Sequence, residues 1–197
     1  FRRVLFRSRG SPLFFSGLTS LDAETAKILV SKTKWRPHLP KLTTLDAETA
    51  RVLAGFDGHF LVLDGLTSLS PEAAAVLAEL PRGQWDARLP NLKTIPDDVA
   101  QALAKRELNF AKLPYVMPGL TTLSDEAGKM LGPRLDGRLP ALQVLSVELA
   151  EGLAKKRGDR IHLSHLYLDG LTTLSPAAAR AISKWDGEIY FDGLTEI

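Results

Sequence analysis

The 197-residue chain contains no cysteine. Without a thiol it can form no disulfide, no cysteine nucleophile and no Cys-based zinc site. It also lacks an apolar run of membrane-spanning length, because its hydrophobic residues, 45% of the total, are interrupted throughout. We therefore expect no membrane insertion. With 24% charged residues, the composition is typical of a globular protein.

Motifs that carry catalysis or cofactor binding are absent as well. The chain has no G-x-x-x-x-G-K-[ST] phosphate-binding loop, no G-x-G-x-x-G, no G-x-S-x-G nucleophile elbow and no H-E-x-x-H metal motif. These absences argue against an enzyme. We expect no cofactor, no metal site and no small-molecule substrate.

Two local clusters resemble functional sites and are interpreted structurally. His162 and His165 are three residues apart, but the surrounding pattern predicts a strand, in which residues i and i+3 point to opposite faces. The basic run at 155–157 falls at a predicted helix end, where the helix dipole favours cations. We therefore expect no metal at these histidines and no nucleic-acid partner.

The formal charge of +2 comes from the first residues of the chain. The opening octet FRRVLFRS carries three arginines and no acid, and subtracting these three charges from +2 leaves −1 for the remainder. The octet resembles the in-frame translation of a common short-read sequencing adaptor, so residues 1–9 are interpreted as a non-native scar. A signal-peptide remnant is disfavoured because no sustained apolar segment follows. Residues 10–197 are expected to form a single repeat domain, truncated at both ends.

One phrase recurs along the chain. LDGLTSLSPEAAAVLAEL at 63–80 returns as LDGLTTLSPAAARAISK at 168–184, with less exact copies between and around them. Its central leucine recurs at intervals of 22 to 29 residues, the spacing of a repeat architecture with small loop insertions. These anchor leucines are Leu18, Leu42, Leu66, Leu92, Leu120, Leu142, Leu171 and Leu194.

Each complete copy predicts a short helix. A residue four positions after the anchor can cap the helix with a side-chain oxygen, and acidic residues follow in the first turn. Farther along, a small residue and then a leucine or isoleucine share one helix face. Helices this short need packing against neighbours. The predicted caps are Asp22, Asp46, Ser70, Ser124, Ser146 and Ser175, with Pro96 as the one departure.

Upstream of the anchor the pattern changes to a period of two. Leu166 and Leu168 alternate with Tyr167 and Asp169, which predicts a strand with one buried face. Alternate copies carry a proline in this segment and predict short strands, because proline cannot donate to a ladder. These prolines are Pro40, Pro90 and Pro140. A fifty-residue rhythm of large residues, Trp35, Trp85, Leu135 and Trp185, is interpreted as core filling.

A unit of strand, turn and capped helix resembles the leucine-rich repeat family, in a bacterial-type variant. The family pattern L-x-L-x-x-N-x-L is approached by Leu166, Leu168, Leu171 and Leu174, although the anchor leucine replaces the family's Asn in every copy and the last leucine stands one position later. The resemblance implies an α/β leucine-rich-repeat-like solenoid of about eight strand-turn-helix units, with a parallel sheet on one face and short helices on the other. Without the Asn, threonine hydroxyls are expected to bond the turns, at Thr19, Thr43, Thr67, Thr121 and Thr172.

The outward strand residues are the candidate functional surface. The resemblance implies a concave sheet face that binds another protein, so we expect a protein–protein interaction module with aromatic and arginine anchors. The alternative function is a structural or spacer repeat array in a larger surface or scaffold protein. Pairing of the outward charges with one another is an equally good interpretation of the same residues. The candidate partner-binding residues are Phe14, His38, Asp64, Arg88, Arg138, Tyr167, Asp169, Tyr190 and Asp192.

Overall fold

The structure is a computed structural model that describes residues 14–31, 35, 37–56, 60–81, 83–106, 114–155 and 165–196. The interpreted scar at 1–9 and His162 lie outside these residues. Seven α-helices occur in the described residues, with one 3-10 helix at Gly132–Arg134 and two strands, β1 (His165–Tyr167) and β2 (Glu188–Tyr190). The helices are α1 (Ala23–Val30), α2 (Ala47–Ala54), α3 (Pro71–Glu79), α4 (Asp97–Leu103), α5 (Asp125–Leu131), α6 (Val147–Ala154) and α7 (Pro176–Ile182).

The predicted fold class is wrong. The sequence predicts about eight strand-turn-helix units with a parallel sheet along one face. Across the described ranges, the structure instead has seven short helices and a single two-stranded parallel sheet, so its regular structure is mainly helical. The leucine-rich-repeat-like solenoid implied by the resemblance is not formed.

Interruptions before each bridge account for the missing sheet. The extended segments before the helices meet at isolated parallel bridges, such as that between His38 and Val62. There Leu39 N–H donates to Val62 O and Val62 N–H donates to Pro37 O, both at 3.0 Å, but Pro37 has no N–H with which to extend the pairing toward the N-terminus. The chain then turns at once, with Leu42 N–H bonded to Leu39 O. The same turn follows β1, where Leu171 N–H bonds Leu168 O, so the difference lies upstream, at Pro37 and at the left-handed Ala87 and Gly137.

The predicted helix starts are confirmed. In six of the seven described helices the cap side chain accepts a backbone N–H three residues later, as Asp46 Oδ1 does from Thr49 N–H at 2.8 Å. This bond satisfies an amide that helix geometry leaves unpaired, so the cap defines where the helix begins. Pro96, before α4, makes no side-chain capping bond.

Each described helix packs on the next one in sequence, from α1 on α2 through α6 on α7. The predicted small residue is buried in α1 to α6, whereas in α7 the neighbouring Ala178 is buried in place of Ala179. The contact between α5 and α6 is especially close, because a Cβ added at Gly128 would lie 2.9 Å from Leu149 Cβ. Small residues let these helix backbones approach.

Large side chains fill the core beside the extended segments, as the fifty-residue rhythm predicts. Trp35 and Trp85 are 0% and 1% exposed, and Trp185 is partly buried. Arg106 is also buried, with its guanidinium carbon 5.6 Å from the ring centroids of both Trp85 and Tyr115. Burial lowers the pKa of Arg106 and raises the pKa of Tyr115. The core therefore contains one cation held between aromatic rings.

Threonine hydroxyls donate hydrogen bonds between successive turns. They do so at three of the five predicted positions, Thr43, Thr67 and Thr121. Thr43 Oγ1 donates to Thr19 O at 3.2 Å, and Thr67 Oγ1 donates to Thr43 O at 3.3 Å. The backbone N–H of each donor threonine bonds the same carbonyl. Successive turns are thereby joined by paired hydrogen bonds. The same arrangement recurs between Thr121 and Lys93 and between Thr195 and Thr172.

Candidate functional site

Parallel pairing brings the predicted outward residues together in three groups. The groups are His38 with Val62, Arg88 with Val116, and Arg138 with Tyr167 and Tyr190. Phe14, 55% exposed, lies before α1 and outside these groups. Only the third group places three candidate side chains in register, so it is the part of the predicted surface that the structure assembles most completely.

Stacked aromatic side chains form the centre of this third group. Tyr167 of β1 and Tyr190 of β2 are paired in register, and their rings stack with centroids 4.9 Å apart and planes 8° apart. Neighbouring strands have about the same spacing, so in-register pairing produces the stack. The His165 ring lies 6.2 Å from Tyr167 and 6.0 Å from Tyr190. We call His165, Tyr167 and Tyr190 the aromatic face.

Glu188 holds the polar edge of the aromatic face in place. The Tyr190 hydroxyl donates to Glu188 Oε2 at 2.6 Å, and His165 Nε2 lies 3.2 Å from the same oxygen. The hydrogen bond to Glu188 is the largest cause that raises the pKa of Tyr190. The side chains of His165 and Glu188 are 46% and 69% exposed. The polar edge formed by Glu188, His165 and the Tyr190 hydroxyl is therefore both ordered and exposed.

Sequence reasoning omits His165 and Glu188 from the candidate surface. A signal for both exists, because each stands two residues before a candidate tyrosine and strand alternation places it on the same side. The register that pairs His165 with Glu188 comes only from the structure. The interpretation of His165 as a strand residue agrees with its place in β1.

A second charged group is ion-paired within the protein, although Asp64 Oδ1 accepts no hydrogen bond in the described residues. Arg88 Nε lies 3.9 Å from Asp64 Oδ1 and 3.8 Å from Asp86 Oδ2. Asp86 also accepts Arg88 N–H at 3.1 Å, and partial burial raises the pKa of Asp86. The prediction that outward charges pair with one another therefore holds at Asp64 and Arg88.

Asp169 and Asp192 each stand two residues after a tyrosine of the aromatic face. Neither has an ion pair with another residue in the part of the chain that the structure describes. Asp169 Oδ1, like Asp64 Oδ1, is buried and has no hydrogen-bond partner in the described residues, so the two aspartates differ in the ion pair alone. The next turn packs on Asp169, because a Cβ added at Gly193 would collide with Asp169 O. The two carboxylates therefore stand in adjacent turns.

A groove of about 450 Å³ lies at the starts of the first three helices and is lined mainly by hydroxyl and carboxylate residues. Its carboxylates, Asp22 and Asp46, already accept capping hydrogen bonds from Thr25 and Thr49. Helix capping therefore accounts for both of its carboxylates. Over the described ranges, no group of three or more His, Asp or Glu side chains is arranged to hold a metal ion.

None of the described helices combines the length and apolar character needed to cross a membrane. No protein-family model matches the chain, and no curated protein matches it. Function is therefore inferred from the geometry around the aromatic face.

Proposed function

We propose that the chain is a protein–protein interaction module whose binding surface is the aromatic face. The observation that carries this proposal is the in-register stack of Tyr167 on Tyr190 at a partly exposed position. Tyrosine is enriched at protein interfaces because its ring offers apolar contact area and its hydroxyl offers a hydrogen bond. The surface differs from the sequence prediction, since it is the face of a two-stranded sheet.

Preorganisation supports the same proposal. Stacking restricts both tyrosine rings, and Glu188 fixes the Tyr190 hydroxyl and lies close to the His165 ring. Side chains that are already ordered lose little conformational entropy when a partner binds. Arg138 is paired with Tyr167 on the other side and is exposed. Tyrosine and arginine are the residue types that most often dominate binding energy.

Selection from a displayed library of random linear peptides tests this proposal. The full chain is immobilised, and bound peptides are compared with those retained by a Tyr167→Ala/Tyr190→Ala double variant. We expect enriched sequences on the wild-type chain and at least a tenfold weaker affinity of those peptides for the double variant, because truncation removes the central contact area.

Glu72→Gln is the matched control, because Glu72 is exposed in the first turn of α3, outside the aromatic face. The selected peptides should bind this variant as they bind the wild-type chain. Circular dichroism of all three proteins checks that folding is preserved. If no sequence is enriched, or if the enriched peptides bind the folded double variant equally well, the aromatic face is not a binding surface.

A spacer or scaffold function is the second candidate, and the pattern of helix contacts favours it. Within the described residues each helix contacts only its neighbours in sequence, and threonine hydrogen bonds join the successive turns. A chain that serves as a spacer by end-to-end stacking should grow in mass with concentration. Multi-angle light scattering on the full chain distinguishes the two, since a peptide-binding module without self-association keeps a constant mass.

A further inference from the structure

We infer that the aromatic face binds a peptide segment that carries a cation, a lysine or arginine side chain placed beside Asp169 and Asp192. This inference rests on the proposed function and names the chemistry of the partner. Three features support it: a difference between the equivalent residues Asp64 and Asp169, the acidic side chains near the tyrosine stack, and the contact of Arg106 with aromatic rings in the core.

The internal comparison is between Asp64 and Asp169. Each stands two residues before its anchor leucine, in the same LDGL phrase. In the following segment, the residue four positions before the anchor is Arg88 in the first case and Tyr190 in the second. Arg88 Nε lies 3.9 Å from Asp64 Oδ1. The chain thus supplies a cation to Asp64, whereas tyrosine takes the corresponding position beside Asp169.

Among the described residues, the charge that remains around the Tyr190 end of the stack is negative. Glu188 and Asp192 flank Tyr190, and Asp169 follows Tyr167 by two residues; of these three, only Glu188 has a basic neighbour in the described residues, His165 at 3.2 Å. Arg138 is paired with Tyr167, on the side away from Tyr190. The surface therefore changes from basic at Arg138 to acidic at Asp192. Charge complementarity orients a bound segment with its cation on the acidic side.

A cation at this position would also meet aromatic rings, and the same chain shows that combination in its core. The Arg106 guanidinium lies 5.6 Å from the rings of Trp85 and Tyr115. Guanidinium and ammonium groups are attracted to the electron-rich faces of such rings. Carboxylates next to tyrosine therefore favour arginine or lysine over neutral residues of similar size.

The library selection described above tests the inference when it is repeated on an Asp169→Asn/Asp192→Asn double variant. Both substitutions preserve side-chain shape and remove only charge. We expect peptides selected on the wild-type chain to contain at least twice the arginine and lysine of the starting library, and this excess to disappear on the variant. A selected peptide and its Arg/Lys→Gln counterpart are then compared by fluorescence anisotropy, with an expected loss of about fivefold on the wild-type chain.

The outcomes separate this inference from the proposed function. Peptides that depend on Tyr167 and Tyr190 but show no basic excess would leave the module intact and overturn the cationic partner. A basic excess that persists unchanged on the folded aspartate variant would also overturn it. Failure to select any peptide, by contrast, overturns the binding function itself. Glu72→Gln serves again as the control for a change of one remote charge.

Discussion

Ala87 and Gly137 occupy equivalent positions in two copies of the phrase, and both have left-handed backbone. Their φ angles are 60° and 82°. In each case the preceding aspartate accepts the N–H of the following arginine, from Arg88 to Asp86 at 3.1 Å and from Arg138 to Asp136 at 3.0 Å. Glycine adopts this conformation without strain, whereas alanine costs about 1–2 kcal/mol.

Reciprocal substitutions at these two residues should have unequal effects. Gly137→Ala is expected to lower the free energy of unfolding by about 1–2 kcal/mol, because it adds backbone strain and a Cβ only 3.3 Å from His165 O. Ala87→Gly should change it by less than about 1 kcal/mol, since relief of strain offsets the loss of a buried methyl. Urea denaturation followed by tryptophan fluorescence measures both. A Gly137→Ala protein as stable as wild type would contradict the strain argument.

Only one of these two left-handed residues can be predicted from the sequence. An aspartate before glycine is a recognisable turn signal at Asp136 and Gly137. The same conformation at Ala87 has no such signal, because alanine rarely adopts positive φ. There the surrounding contacts impose the backbone conformation, and Ala87 itself is completely buried.

At the scale of the element, capping decides where each short helix begins. The Asp46 carboxylate accepts Thr49 N–H at 2.8 Å and Thr49 Oγ1–H at 2.7 Å, and these bonds, the backbone bond first, lower the pKa of Asp46. Ser70 performs the same role for α3 through Ala73 N–H at 3.2 Å. The two caps differ in that only the aspartate titrates.

Removing these caps should therefore give different pH dependences. Asp46→Ala and Ser70→Ala are each expected to cost about 1 kcal/mol near neutral pH. A carboxylate with a lowered folded-state pKa stabilises the protein above its ordinary value of 3.8, and this contribution is lost as the pH falls through the folded value. The loss of unfolding free energy caused by Asp46→Ala should shrink below pH 3.8, while the loss caused by Ser70→Ala should stay constant. Urea denaturation across this range checks it, and equal shrinkage for both variants would contradict the assignment.

At the scale of the whole molecule, stability comes from packing between successive copies. The described helices are seven to nine residues long, which is shorter than the roughly 12–15 residues that an isolated helix needs in water. Buried alanine and leucine residues join neighbouring helices into one hydrophobic core. Each copy therefore depends on the copies beside it.

A peptide that spans residues 60–81 should not fold alone. It contains all of α3 and its Ser70 cap, but it lacks the neighbouring helices α2 and α4 that cover it. Far-ultraviolet circular dichroism should show a disordered peptide beside a helical full-length chain. A peptide with the helical signal of α3 would show that local propensity, and not packing between copies, holds the helix.

The predicted fold class is wrong because of local differences between copies that the repeat pattern does not show. The alternation at Leu166 and Leu168 predicts a strand correctly, and β1 does pair with β2. At His38 and Arg88 similar spacing yields only single bridges, because Pro37 cannot donate and the left-handed Ala87 interrupts the pairing. The resemblance implied that every copy forms a strand as the copy with Leu166 and Leu168 does. The pairing of each segment, however, depends on the segment beside it.

The sequence by itself determined where the helices begin and which of their residues are buried. A cap such as Ser70 and a buried alanine such as Ala74 act within a few residues of each other, so spacing along the chain is enough to predict them. The tertiary structure alone decided how far the extended segments pair, and it alone brought Glu188 to His165 and left Asp169 without an ion pair among the described residues. Those contacts join residues about 20 or more positions apart, and their register depends on packing that no local pattern encodes.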